Sequence, residues 1–461
     1  MKMNLFRSLL VLTSLALLAA CVPQVEIPAA VIPSSTPQLG CTDNCETPQV
    51  ILEEPSPAAT LSPKELASGQ QVIFWHAYST HAVPLIDQYT AEFNQINEYG
   101  INVEARGFLT DDQLQNAFVS DGQDGQPQVI LADSSLIFTL EDQHLLVDLS
   151  PYARDEQPEL MNTAIIESSV NFTRDGYLYA IPAHREGVFL LYNNTWAREL
   201  GFPDAPATLG NWELQAAAAF NVNIFHSNKA MRGTGGWLFD ANPETILSWM
   251  GVPSGANSWD FFTDPEAVAT FARLKMWQEQ GFAWVGKNTD PAGYFVDRQA
   301  LFVTVPSREM PGFLSHLVAL NMPDEWSIIP FPLPEGRTNI GNDYGYAILS
   351  QDPGSQMAAW LFIQWLLDPH RQAALADAEF ALPILPATQA DWLLTAGYPR
   401  LAEDATRALA GRGIYPGGSS WPVFRQIMRD AIHQVMLPQI LVDDLPGIRD
   451  TMEQLFLEFG D

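Results

Sequence analysis

The sequence predicts an α/β protein with a doubly wound lobe, on three observations. A short apolar run, Gln71-Val72-Ile73-Phe74-Trp75-His76, reads as a buried strand. It precedes a helical pattern in which Ile86, Tyr89, Phe93 and Ile96 recur at spacings of three and four, between Pro84 and Gly100. Two further strand patterns follow, Ile101-Asn102-Val103-Glu104-Ala105 alternating and Val129-Ile130-Leu131-Ala132-Asp133 continuous. Strands separated by helices favour a sheet covered on both faces, with ligands held beyond the carboxyl ends of its strands.

The later elements continue the pattern. Thr263-Asp264-Pro265-Glu266 supplies a cap and a first-turn proline for a helix carrying Val268, Phe271 and Leu274. Met357 to Leu367 is nearly all apolar, bounded by Pro353-Gly354 and Asp368-Pro369; eleven residues are too few to span a bilayer, so this is a core helix. A last clear helix begins at Trp421-Pro422 and carries an apolar stripe of Phe424, Ile427, Met428, Ala431, Ile432 and Val435.

Composition limits the function. The 461 residues suggest two or three domain-sized units, and 47% hydrophobic with 17% charged residues excludes a disordered acidic chain. Lys and Arg number 23 against 54 Asp and Glu, a net charge of −31, which argues against nucleic acid and anionic lipid as partners.

The first twenty residues read as an export signal. Lys2 and Arg7 precede the apolar run Leu9 to Leu18, shorter than a membrane span, and Ala19-Ala20 supply a small-residue cleavage site. Leu18-Ala19-Ala20-Cys21 resembles a bacterial lipobox, which implies cleavage before Cys21 and lipidation of its thiol; the alternative is an ordinary secretory signal with an incidental cysteine. Loss of Lys2 and Arg7 takes the charge two lower than −31, to −33. From Val22 to Gln70 there are eight prolines in 49 residues and no helical periodicity, a tether with a reach on the order of 150 Å. Cys41 and Cys45 lie in this tether, as a small disulfide loop or as two free thiols. A zinc site there would need further ligands, and no His precedes His76.

Several stretches then carry a family resemblance. They are Asp175-Gly176-Tyr177-Leu178-Tyr179-Ala180-Ile181-Pro182, Val188 to Tyr192 with Asn193-Asn194, Leu200-Gly201-Phe202 and Pro206-Ala207-Thr208. Phe302 to Val305, Trp326 to Pro332, Gly341 to Leu349 and the helix before Asp368-Pro369 follow in order. This order over residues 71 to 461 resembles the extracellular sugar-binding proteins of ABC importers, the family that includes maltose-binding protein. The resemblance implies a periplasmic-binding-protein-like fold of type II: two doubly wound α/β lobes joined by crossing hinge strands, with the ligand in the cleft between them. It divides the body into residues 71–186 plus 341–380 and residues 187–340 plus 381–461. The uninterrupted apolar stretch Tyr179 to Tyr192 exceeds one strand of typical length, as a crossing segment would.

Sugar sites combine flat aromatics with polar side chains, which selects candidates at strand ends and crossings. Trp75, His76 and Tyr78 follow the first strand, and Asp133 and Ser134 follow the buried strand at Leu131. Trp237 lies in the glycine-rich context of residues 233–236, and Trp421 opens the late helix after Gly417-Gly418. The resemblance puts His184, Arg185 and Glu186 on the hinge and Asp343 with Tyr344 on the return crossing. The plain alternatives are core tryptophans, capping carboxylates and ion pairs. The acidic balance slightly favours neutral or cationic ligands over anionic ones.

Catalytic motifs are weak. The rival reading is an exported carbohydrate-active hydrolase with paired carboxylates, but 54 acids make such pairs inevitable. Gly417-Gly418-Ser419-Ser420-Trp421 does not match a serine-hydrolase elbow, no His-Glu-x-x-His occurs, and His76 and His81 are poorly spaced for a shared metal. Gly281 to Asn288 has phosphate-loop spacing, but Asn288 replaces the Ser or Thr that would hold magnesium, and a helix cap at Gly281 explains it better. The sequence therefore predicts a non-enzymatic, extracytoplasmic lipoprotein anchored to a bacterial membrane by its N-terminal lipid, without cofactor or metal. The resemblance implies that it delivers a carbohydrate to the transmembrane subunits of an ABC permease.

Overall fold

The computed structural model describes residues 64–120, 126–156, 169–225, 235–253, 260–285, 290–349, 352–395, 397, 399–409, 413–414 and 420–460. The expected export signal, Cys21, Cys41, Cys45 and nearly all of the tether lie outside the described residues, as do Gly233, Gly417, Lys287 and Asn288. In chain order the principal strands begin with β1 (Gln71–His76), β2 (Asn102–Gly107), β3 (Val129–Asp133) and β4 (Ile181–Glu186). They continue with β5 (Val188–Asn193), β6 (Gly235–Phe239), β7 (Ala283–Val285) and β8 (Ala300–Pro306), then β9 (Trp326–Ile329), β10 (Ile340–Ile348) and β11 (Leu382–Pro383).

These strands build two α/β lobes on one plan. The first sheet runs β2-β1-β3-β10-β4-β11, with β1 parallel to β2 and β3, and β10 antiparallel to β3 and β4. The second runs β7-β6-β8-β5-β9, with β6 parallel to β7 and β8, and β5 antiparallel to β8 and β9. In each, one antiparallel strand is inserted between a three-stranded parallel group and the next strand. That inserted strand is the one arriving from the other lobe.

The chain passes between lobes three times, twice on neighbouring strands and once near residue 380. From β4 to β5 only Gly187 intervenes, and β10 runs from Ile340, packed in the second lobe's core, to Tyr346 in the first. The crossings pair with each other, Asn342 against Glu186 and Asp343 against Arg185. Close approach requires the glycine at 341, where a Cβ would lie 2.7 Å from Arg185 Cδ.

Burial follows the pleat. On β5, Leu190 and Tyr192 point into one core with Trp212, Trp237 and Phe302, while Phe189 and Leu191 point into another with Val303, Phe313 and Trp392. Both faces of this sheet are thus covered, which is why β5 reads as an unbroken apolar run. The first lobe's core gathers Phe74, Ile130, Tyr346, Trp360 and Phe362, with the helix Pro353–Leu366 as the expected apolar core element. Ala373, Ala376, Phe380 and Leu382 pack into the second lobe's core, while Leu375 packs into the first and β11 pairs with β4 of the first sheet.

Helix starts share one device. Asp264, Asp290, Asp352 and Asp368 each precede a proline and accept a hydrogen bond from a backbone N–H of the first turn. The carboxylate satisfies an orphan donor, and proline occupies the position whose N–H has no helical partner. Gly281 ends the helix Pro265–Gln280 at φ 80°, the expected left-handed cap. Among the described residues no helix is long and apolar enough to cross a membrane.

Two sequence expectations are corrected by the packing. Trp75 is fully buried, its ring 5.1 Å from that of Phe108 and 5.0 Å from that of Phe118. Trp237 is equally buried, 5.1 Å from Trp212 and 5.2 Å from Trp249. Both side chains point along the pleat into a core rather than beyond a strand end, so neither is available to a ligand in a cleft.

Candidate functional site

A cavity of about 390 Å³ lies where strand ends of both lobes meet the crossings. The first lobe contributes Leu109 to Asp112 beyond β2, Asp133 at the end of β3, Glu186 at the end of β4, and Asn342 and Tyr344 on β10. The second contributes Gly187 and Val188, Asp240 and Asn242 beyond β6, Glu244 and Thr245, and Pro306 to Glu309 beyond β8. Trp421, Arg425 and Arg429 close it from the helix Trp421–Val435, at i, i+4 and i+8 on one face. Carboxyl ends of parallel strands are where doubly wound sheets hold ligands, and the volume falls in the range of roughly 300–1,000 Å³ of small-molecule sites.

Charge is organised around two arginines. Arg308 Nε lies 2.7 and 2.9 Å from the two Glu186 oxygens, and its Nη1 lies 3.5 Å from Asp111. Its guanidinium carbon sits 4.8 Å from the centre of the Tyr344 ring. Tyr344 donates to Asp111 at 2.8 Å, and Asn342 donates to Tyr344 at 3.2 Å. Burial works against the Glu186 charge, yet Arg308 and His184 together hold that carboxyl below its usual range. Arg425 Nε lies 2.5 Å from Glu244, and its Nη1 reaches Asp112 on the other lobe at 3.5 Å.

Asp133 and Asp240 are placed differently. Asp133 caps the helix Ser134–Asp142 by accepting from Leu136 N–H at 2.8 Å, and Asn342 donates to it at 3.4 Å. Burial and the neighbouring Asp111 push its carboxyl up to about 6. Asp240 accepts from Asn242 at 2.6 Å and from the Thr245 hydroxyl, and burial pushes it up to about 6 as well.

Of the residues expected at the site, the cavity wall contains Asp133, Glu186, Tyr344 and Trp421. The others stand behind it. His76 is buried, accepts from Tyr78 N–H at 3.3 Å and is held neutral by burial, its pKa lowered to about 4. Tyr78 shares a 2.7 Å hydrogen bond with Tyr346, and Ser134 is buried in its helix's first turn. Arg185 and Asp343 neutralise each other at 2.5 and 2.9 Å, and Asn171 donates to Asp343 at 2.6 Å; the pair ties the crossings together instead of facing the cavity. The strand-end rule led to ends that border the cavity but not to which residue beyond each end faces it.

Sequence reasoning missed Asp111, Asp240, Asn342, Arg308, Glu309, Arg425 and Arg429. The same rule would have found several: Arg308 stands two residues past β8, Asp240 one past β6, and Asp111 four past β2. Among the described residues no group of three or more His, Cys, Asp or Glu is arranged to hold a metal ion.

Comparison with known proteins adds to this geometry. The model of the family described as bacterial extracellular solute-binding protein matches residues 86–399. Among solved structures, the sugar-binding protein MalE from the phytopathogen Xanthomonas citri superposes with a TM-score of 0.66 at 19% identity, over 84% of this chain and 98% of that one. An ABC substrate-binding protein from Listeria monocytogenes in complex with cycloalternan gives 0.66 at 14% identity, over 85% and 100%. The maltotriose-binding protein of Thermus thermophilus, bound with maltotriose, gives 0.61 at 14%, over 84% and 99%. No curated protein matches the sequence.

Proposed function

The chain belongs to the bacterial extracellular solute-binding proteins, and we propose that it captures a sugar or oligosaccharide between its lobes and delivers it to the transmembrane subunits of an ABC permease. The observation that carries this reading is the cavity itself, walled by both lobes at the carboxyl ends of their strands and floored by the crossings at Gly187 and Asn342. The sugar-bound relatives of the same fold favour a carbohydrate as the solute.

The wall suits such a ligand. Asp133, Glu186, Asp240 and Asn342 offer acceptors and donors to hydroxyls, and Trp421 adds an apolar edge, while the Tyr344 ring is covered by His184 and Arg308. A ligand favours a closed arrangement only through contacts made better there, so groups from both lobes must touch it. On this reading the lobes comprise 71–186 with 341–380 and 187–340 with 381–461, the stretch 369–383 being shared. Lipidation of Cys21 and the proline-rich tether keep the body beside its permease, and binding proceeds without covalent chemistry.

The test is titration of the purified protein with a panel of mono- and oligosaccharides, followed by tryptophan fluorescence, with native mass spectrometry of the complex. Saturable one-to-one binding of an unchanged sugar is expected. Conversion of the sugar to shorter products would replace this reading with the hydrolase, and no binding by any carbohydrate would overturn the choice of solute.

A further inference from the structure

The charge around the cavity is unbalanced in a specific way. Seven carboxylates and three guanidinium groups line it. Arg308 serves Glu186 and Asp111, and Arg425 serves Glu244 and Asp112. Glu309 pairs with neither arginine among the described residues, and the third guanidinium, Arg429, donates to Gln426 at 3.1 Å. Asp133 and Asp240 are left with neutral donors only: a backbone N–H and Asn342 for one, Asn242 and Thr245 for the other. Neither makes an ion pair among the described residues, and Arg425 is the weakest of the influences on Asp133.

Both positions lie at carboxyl ends of parallel strands, one in each lobe. Asp133 ends β3 beside β1, and Asp240 follows β6, the central strand of the other parallel group. Each wall of the cavity therefore presents a half-buried carboxylate without a counter-charge. That is costly for the free protein, and burial raises the carboxyl of each. A neutral sugar satisfies the oxygens as acceptors but leaves the charge uncompensated. An anion adds repulsion. A positive group on the ligand removes the cost.

We propose that the solute is a sugar or polyol carrying a cationic nitrogen, whose charge is neutralised by Asp133 and Asp240 from the two walls. This rests on the reading of the cavity as the solute site and specifies the chemical class of its ligand. One pKa unit corresponds to about tenfold in affinity, and a preference of about tenfold for a cation over a neutral isostere is the expected effect.

The experiment is calorimetric titration of the purified protein at pH 6.5, where the amino groups of the probes are largely protonated, with glucosamine and its β-1,4 oligomers of two to four units. Parallel arms use the N-acetylated counterparts of the same lengths, malto-oligosaccharides, and glucose 6-phosphate. The amine-bearing probes are expected to bind at least tenfold tighter than their N-acetylated counterparts. The Asp133→Asn and Asp240→Asn variants, each checked for folding by thermal melting, are expected to lose most of that preference. A neutral sugar binding as tightly as its amine, or the phosphate binding more tightly, overturns the cationic ligand and leaves the sugar-binding reading standing. A preference that survives in both variants overturns the assignment to these carboxylates. Silence in every arm overturns the proposal, and native mass spectrometry showing no retained small molecule would remove the solute reading with it.

Discussion

Arg308 holds Glu186 at the point where the lobes exchange strands, its Nε 2.7 Å from one carboxylate oxygen and 2.9 Å from the other. Arg308 belongs to the second lobe, just past β8, and Glu186 ends β4 of the first. The pair is a bond across the floor of the cavity, reinforced by Asp111 at 3.5 Å. Removing one partner strands the other charge in a desolvated place.

Arg308→Met is therefore expected to destabilise the protein by about 3–5 kcal/mol, the usual cost of leaving a buried charge unpaired. Pairing it with Glu186→Gln should recover much of the loss. Urea unfolding of the two single variants and the double variant at pH 7 measures this, and equal losses in the single Arg308 variant and the double would contradict it.

Asp240 gives a pH dependence of defined sign. Its carboxyl titrates at about 6 in the folded protein against an ordinary 3.8, so between those values the native state holds more proton than the unfolded chain. Stability at this residue falls as pH rises through that window, and the cost is fully present above about 6. Asp240→Asn should raise stability at pH 7.5 by on the order of 2 kcal/mol, with the gain fading as pH falls towards 4. Thermal melts across that range test it; a gain that grows on acidification would reverse the assignment.

The tryptophans separate packing from binding. Trp237→Ala removes a ring enclosed by Trp212, Trp249 and Phe239 and should cost about 3–5 kcal/mol while leaving ligand affinity of the folded protein unchanged. Trp421→Phe keeps an apolar contact with Phe424 but alters the cavity wall, so it should weaken binding with a smaller loss of stability. Denaturant midpoints and sugar titrations on both variants decide the matter.

Glycines at two places differ in what a methyl group would meet. At Gly236 a Cβ would strike the Phe282 backbone carbonyl, which β6 and β7 cannot move without separating. At Gly187 it would meet the end of the Leu409 side chain at 2.5 Å, which can turn aside. Gly236→Ala should cost more than about 3 kcal/mol and Gly187→Ala clearly less, as urea midpoints will report.

Much of the fold was legible because its signals are local. β1, β3 and β5 are continuous apolar runs that only doubly covered strands require. The Asp-Pro caps announce helix starts at 265, 353 and 369. The site was legible in part. Asp133, Glu186, Tyr344 and Trp421 stand at strand ends, crossings or a helix start, which a linear reading can find. Arg308 and Arg425 escaped because their importance lies in carboxylates far away in the chain, Glu186 and Asp112.

The sequence by itself determined the alternating α/β plan and a core helix read at 357–367, since hydrophobic period, capping and turn residues act between near neighbours. Tertiary structure alone decided which tryptophans are core, which acids find an arginine, and that Asp133 and Asp240 do not. Those outcomes depend on the pleat direction of each strand and on how two separately folded walls meet, and neither quantity is carried by residue spacing.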